Sequence, residues 1–236
     1  MYIMIVSNKY IKKEGRLMNT FVLKLIALIS MIIDHYGAIF HEDIMIYRMI
    51  GRIAFPIYCF LLVEGYYHTK DFNKYAKRLF IFALISEVFF DYAFYGKLGF
   101  GHQNVFFTLF IGLMAMHFID NKEGKYKLDK NRVIILAIAL ASILFVDYTF
   151  MGIIYILAFY FNREYPSKKK FLNIGLIMLI TNIISTTLIQ QFSLLALPVL
   201  YFYNGKLGPK NKVLQLSFYI AYPLHLLIFY LIKVGF

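Results

Sequence analysis

His35 has the widest chemical reach in this sequence, because a neutral imidazole within an apolar run can take a proton from an amine or hydroxyl and return it near neutral pH. The same residue can instead be a histidine held by hydrogen bonds inside a bundle. Asp34, Arg48, Arg52, Glu64, Glu87, Asp91 and His225 also lie within apolar runs. An ionisable side chain in a bilayer is costly, so by default it faces a protein interior and marks a site. Arg48 and Arg52 are spaced i,i+4, as are Glu87 and Asp91, and each pair shares a helix face. The arginine pair is therefore expected to meet the carboxylate pair across a helix interface, either at a working cavity or as an ion network that only locks helices. Asp34 points about 100° away from His35 on a helix, which makes Glu87, Asp91 or an arginine-held carboxylate the better orienter of that imidazole. Asn104, with Thr108 one turn on, either donates to an oxyanion or caps a helix. His225 follows Pro223 by two residues and either lines the same cavity or satisfies the carbonyl that the proline frees.

These residues need elements to carry them. Of the 236 residues, 61% are apolar or aromatic and 16% are charged, against roughly 45–50% and 25% in a soluble domain. Mean hydropathy is +0.65, and 25 Phe and 20 Tyr are spread along the whole chain. One soluble core is excluded, and a helical membrane bundle is expected with no room for a separate soluble catalytic domain. Apolar runs cover 21–40, 44–65, 76–95, 104–119, 133–146, 150–161, 171–188, 191–203 and 214–233. The stretches 133–161 and 171–203 are too long for single spans of a core about 30 Å thick, so each is read as a hairpin. With nine spans and the N-terminus inside, 21 of the 25 Lys and Arg fall on the cytoplasmic side; only Arg48, Arg52, Lys97 and Lys233 do not. The C-terminus is then outside. Asp34, His35, Arg48, Arg52, Glu87, Asp91, the run His102-Gln103-Asn104 and Asp147 converge at one depth in the outer half. Residues 1–19 are read as an extension, with Met18 a candidate start, and 20–236 as one transmembrane domain.

The net charge of +12 is explained by this topology, since the cations occur in short clusters between apolar runs rather than in one continuous patch, and nucleic acid is not an expected partner. Cys59 has no second cysteine to pair with, and no Cys/His spacing of the zinc type occurs, so no metal is expected. The first long apolar run lacks a small-x-small cleavage site and is read as a retained helix. Lys24 lies eleven residues before His35, close to three full turns, which places the two on nearly one face about 16 Å apart. Lys24 either reaches toward a ligand on that face or snorkels to the interface.

Leu23-Lys24-Leu25-Ile26-Ala27-Leu28 through Ile33-Asp34-His35-Tyr36-Gly37, Arg48-x-x-Gly51-Arg52-Ile53-Ala54-Phe55-Pro56 through Glu64-Gly65, Ser86-Glu87 with Asp91, and Gln103-Asn104-Val105-Phe106-Phe107-Thr108-Leu109 resemble TraX-type membrane proteins. The resemblance runs from Met18 onward and is strongest in residues 20–115. It implies an integral membrane acetyltransferase in the cytoplasmic membrane, with acetyl-CoA as donor and, from the founding activity of the family, the amino terminus of a conjugative pilin as acceptor. The first span also resembles the acyltransferase-3 group, in which a basic residue precedes an essential membrane histidine by eleven positions, as Lys24 precedes His35.

On that resemblance the catalytic candidates are His35, Asp34, Glu87, Asp91 and Asn104. The donor-binding candidates are Lys24, Arg48, Arg52, Gln103 and His225. Acetyl-CoA would enter from the cytoplasm with its phosphates near Lys24 and its thioester beside His35, and the acceptor would be a pilin-like peptide or a surface glycan. A transporter or proton-coupled permease is the competing class, although it predicts matched broken repeats that are not found. A noncatalytic assembly factor for a surface-export system is the third.

Overall fold

The computed structural model describes residues 17–120, 129–185, 188–209 and 211–235. Residues 1–16, most of the expected N-terminal extension, and Lys122, Lys125 and Lys127 of the third basic cluster lie outside the described residues. Met18 pairs in parallel with Tyr203, and Asn19 caps the first helix.

The described residues form helices α1 (Thr20–Phe40), α2 (Met45–Gly51), α3 (Ala54–His68), α4 (Phe72–Tyr95), α5 (Val105–Asp120), α6 (Lys130–Ile143), α7 (Thr149–Phe161), α8 (Ser167–Ile184), a 3-10 segment (Leu188–Leu195) that runs into α9 (Ala196–Tyr201), and α10 (Lys212–Val234). Asn19, Asp71, Asp129 and Asn211 start α1, α4, α6 and α10 by accepting a first-turn backbone N–H. Nine helical rods result if α2 with α3, and the 3-10 segment with α9, are each counted as one. The chain breaks at 144–148 and again after Ile184, which makes hairpins of the two long apolar stretches. α1, α2–α3 and α10 are long and apolar enough to cross a membrane, whereas α5, α7 and the 3-10–α9 rod are shorter apolar helices.

Successive rods alternate in direction. At one end the Met18–Tyr203 bridge and the bond from Thr20 N to the Lys206 carbonyl join the start of α1 to the segment after α9. Tyr66 and Tyr160 both donate to Asp120 at that end, at 2.8 and 2.7 Å. At the other end Gln103 pairs with Val146, and Lys233 Nζ reaches the Ala93 carbonyl at 3.4 Å. α3, α5 and α7 are central: Ile57, Cys59, Leu113, Met116, Ile153, Tyr155 and Ile156 are fully buried, and these helices are apolar all round. α6 and α8 instead expose Ile135, Leu136, Ile143, Leu172, Ile180 and Ile183, an apolar outer surface of the kind a bilayer covers.

The second rod is interrupted because Pro56 has no N–H for the Arg52 carbonyl, and the helix restarts at Ala54. That break leaves α2 a short helix pressed against α1. The contact is possible only because Gly37 and Gly51 lack side chains: a Cβ on Gly51 would stand 2.1 Å from Asp34 Cβ and Oδ1, and one on Gly37 would stand 2.3 Å from Tyr47 Cβ. Gly51→Ala is expected to push α2 off α1 and to cost at least about 1–3 kcal/mol, the range of an overpacked core. Thermal unfolding in detergent should show a fall in Tm of several degrees, together with loss of the Asp34 contacts described next.

Candidate functional site

Asp34 is buried on α1 and held by both arginines of the second rod. Arg48 Nη1 donates to Oδ2 at 2.7 Å and to the Asp34 carbonyl at 3.2 Å. Arg52 Nη2 donates to Oδ1 at 2.6 Å and to Oδ2 at 2.7 Å. Arg52 Nε also bonds the Arg48 carbonyl at 3.3 Å, and Nη1 reaches Gln190 Oε1 at 3.4 Å. The sequence expectation paired these arginines with Glu87 and Asp91, and this is corrected: one carboxylate on the neighbouring rod serves both guanidiniums. The close approach at Gly51 puts Asp34 within reach before α4 can be.

His35 turns the other way and meets α10. Its Nδ1 lies 2.7 Å from His225 Nε2, with the two rings stacked at 4.9 Å between centroids. No carboxylate orients His35, contrary to expectation; a second imidazole does. His225 Nδ1 lies 2.8 Å from the Ala221 carbonyl, which can only accept, so that nitrogen carries a proton. With both rings neutral, His225 Nε2 is then the acceptor and His35 Nδ1 the donor. His35 Nε2 is left bare. The carbonyl bonded by His225 is that of Ala221, whereas the one left without its helical donor by Pro223 is four residues back, at Tyr219. His225 therefore stands behind His35 as its orienter, and it does not line the cavity.

The loop before α5 and the α6–α7 tip close the site from the outer end. Gln103 N bonds the Phe145 carbonyl at 3.0 Å and Asp147 N bonds the Gln103 carbonyl at 2.8 Å, while the Gln103 side chain turns to the Phe100 carbonyl. Gln103 is thus a backbone clamp, in place of the donor-binding role expected for it. Thr108 Oγ1 adds a bond to the Asp147 carbonyl. Phe145, Tyr148 and Thr149 all have positive φ, at 49°, 62° and 42°, a backbone region unfavourable for side chains that persists when surrounding contacts over-determine it. Tyr148 is fixed by stacking on Phe55 at 3.8 Å and lies beneath the Arg52 guanidinium.

Three expected catalytic groups have structural partners here, although Glu87 Oε1 is buried without one. Asn104 Nδ2 donates to the Ala83 carbonyl and to Glu87 Oε2, and its Oδ1 accepts from Phe106 N, so the capping alternative holds and no proton remains for an oxyanion. Glu87 Oε2 is taken by the backbone and side chain of Asn104. Asp91 accepts from Gly99 N at 2.8 Å and holds the α4–α5 loop. Neither carboxylate lines the cavity.

Two cavities adjoin inside the bundle. The outer one, about 220 Å³, is lined by Asp34, His35, Arg48, Arg52, His102, Asp147 and Tyr148. The inner one, about 300 Å³, is lined by Lys24, Arg78 and Glu64 among the aromatic side chains of Tyr75, Phe218 and Tyr219. Met31, Tyr58, Val105 and Tyr222 belong to the walls of both. Lys24 faces the inner cavity, 5.5 Å from the Phe218 ring centroid, so it does not simply snorkel. Arg78 lies over Tyr219 at 5.0 Å and Tyr75 at 5.5 Å, and its Nε is buried without a partner. Among the described residues no carboxylate stands within ion-pair distance of either cation.

Arg78, Tyr148 and Tyr222 were not among the residues expected from sequence. Arg78 is the last member of a basic run that the topology already explained, and the tyrosines belong to a chain with 20 of them. Only Tyr222, three residues before His225 and hence on its face, carried a readable signal. Among the described residues no group of three His, Cys, Asp or Glu is placed to hold a metal ion.

A helical bundle with three helices long and apolar enough to cross a membrane, and a buried histidine pair beside an arginine-held carboxylate, is the class defined by this fold and site. The family model for TraX protein matches residues 20–233, and the chain belongs to the TraX family. The probable fimbrial assembly protein FimC, serogroup H1, of Dichelobacter nodosus is 29% identical, with 88% of this chain and 93% of that one covered. The uncharacterized protein RP591 of Rickettsia prowazekii (strain Madrid E) is 29% identical over 42% of this chain and 37% of its own. No solved structure matches.

Arg52→Ala would leave Asp34 buried with only the half-buried Arg48, and breaking such a pair costs about 3–5 kcal/mol. Unfolding should show most of that loss, and Asp34→Asn on top of Arg52→Ala should restore part of it.

His102, in the loop outside the helices, has Asp147 at 3.8 Å, which raises its pKa above the ordinary histidine value. A raised folded pKa stabilises fully below the unfolded value of about 6.5 and ceases to do so as pH rises through the folded value. The Tm deficit of His102→Gln is therefore expected to be largest below about pH 6.5 and to fade as pH rises through the raised folded value, read from unfolding of both proteins across a pH series.

Proposed function

We propose that the protein is a multi-pass enzyme of the cytoplasmic membrane, N-terminus inside and C-terminus outside, that transfers an acetyl group from acetyl-CoA to an amine or hydroxyl of an exported acceptor. The observation that carries this reading is the meeting of the two cavities. One holds two cations with no carboxylate partner, suited to the phosphates of a large anionic donor. The other holds a histidine with one bare nitrogen. A donor whose phosphates rest by Lys24 and Arg78 has its thioester arm directed along α1 toward His35, about 16 Å further on. The FimC relative is named for fimbrial assembly, which favours a pilin-like peptide over a surface glycan as acceptor.

In this reading His35 Nε2 takes the proton of the acceptor N–H or O–H as its heteroatom attacks the thioester carbonyl carbon. The tetrahedral intermediate collapses, the C–S bond breaks, and the thiolate takes the proton back from His35 as CoA leaves. His225 and the Ala221 carbonyl keep the reactive nitrogen turned to the cavity throughout. Arg48 and Arg52, tied to Asp34, line the same cavity and hold guanidinium N–H groups near the developing negative charge. A noncatalytic role in fimbrial assembly is the second reading, and the relative's name is the observation that favours it.

The test is purified protein in nanodiscs with acetyl-CoA and a synthetic peptide bearing a free N-terminus, with CoA thiol release and peptide mass as readouts. Wild type is expected to acetylate the peptide. His35→Ala should bind acetyl-CoA with similar affinity and lose at least about 100-fold in turnover, the lower end of general-base contributions. Absence of acetyl-CoA binding by folded wild type would favour the assembly role.

A further inference from the structure

The phenol of Tyr222 lines both cavities, and no group among the described residues accepts its proton. Its side chain is 3% exposed, and its Oη is buried with no hydrogen-bond partner. The backbone group turned toward it, the Val105 amide at the start of α5, is itself a donor, so the phenol's own proton has no acceptor. Leaving a buried hydroxyl proton without an acceptor is costly, and such groups in native proteins call for an explanation.

The ring around that hydroxyl is closely held. Tyr222 meets His35 edge-on at 5.8 Å, His225 at 5.5 Å and Phe106 at 5.2 Å between centroids. It lines both the cavity of Lys24 and Arg78 and the cavity of His35. It is one of four residues, with Met31, Tyr58 and Val105, common to the walls of the two cavities. Asn104, the residue that spacing offered as an oxyanion donor, has both amide protons engaged elsewhere. Arg48 and Arg52 are turned to Asp34.

We infer that Tyr222 is a catalytic residue of the acetyl transfer, its Oη–H donating to the thioester carbonyl oxygen and holding it as an oxyanion. The inference rests on the acetyltransferase reading above. As the acceptor heteroatom bonds to the carbonyl carbon, the C=O pair moves onto oxygen and the Tyr222 proton stays on its own oxygen, shared in a shorter hydrogen bond. The pair returns as the C–S bond breaks, and the thiolate recovers the acceptor's proton from His35 Nε2. The phenol undergoes no net change. The Val105 N–H, turned to the same point, is available as a second donor once a ligand oxygen arrives.

The experiment compares wild type with Tyr222→Phe in nanodiscs, using acetyl-CoA and the same peptide, and reads acetyl-CoA Kd, kcat, KM and Tm. Tyr222→Phe keeps the ring and its edge contacts and removes only the unpartnered hydroxyl. Tm is expected to hold or rise, Kd to stay within about threefold, and kcat to fall about 100–1000-fold, the range for losing one oxyanion donor. Turnover within threefold of wild type would overturn the role of Tyr222 and leave the acetyltransferase reading standing. A fall in Tm with parallel loss of binding would make Tyr222 a structural residue and overturn it also. No acetyl-CoA binding by well-folded wild type would remove both.

Discussion

Putting a carboxylate in the interior of an apolar bundle is unfavourable by several kcal/mol unless its charge and lone pairs are met in good geometry. Asp34 is met by three short bonds from Arg48 and Arg52, and neither guanidinium could arrive without the features around it. Gly51 removes the Cβ that would collide with Asp34, and Pro56 breaks the second rod so that α2 can lie against α1. Tyr148 beneath Arg52 then ties the α6–α7 tip to the same cluster, and Gln103 ties that tip to the start of α5. The outer cavity is walled by the parts of the fold that satisfy this one charge.

The division of labour between Asp34 and His35 follows from their adjacency. Neighbours on a helix point about 100° apart, so one faces α2 and the other α10. The charged group is consumed in structure, and the titratable ring is kept for a neighbour that can fix its tautomer without neutralising its second nitrogen. A carboxylate behind His35 would have made a stronger base but would have placed another charge in the bundle. A second imidazole, itself anchored on the Ala221 carbonyl, orients the ring at no cost in charge.

The cations divide in the same way. Arg48 and Arg52 are neutralised within the protein, whereas Lys24 and Arg78 face a largely aromatic cavity and have no carboxylate within ion-pair distance among the described residues. The chain belongs to the TraX family and is similar to a probable fimbrial assembly protein. Its two cavities share part of their walls, one lined by Lys24 and Arg78 and the other by His35.

Hydrophobic run lengths, with the breaks chosen from the placement of lysines and arginines, were enough to locate nine rods among the described residues within a few residues, because the length of an apolar run is a one-dimensional signal. The importance of Asp34, His35, Arg48 and Arg52 was equally readable, since each is an expensive group in an apolar run. Partners were not readable. The i,i+4 spacing of Glu87 and Asp91 matches that of the arginines, yet α4 carries those carboxylates to the α4–α5 loop and to Asn104 instead. Helical spacing says which residues share a face, and only packing says which face meets which. The pairing of His35 with His225, 190 residues apart, and the idle hydroxyl of Tyr222 both arise where α10 returns to α1, a contact that no local pattern encodes.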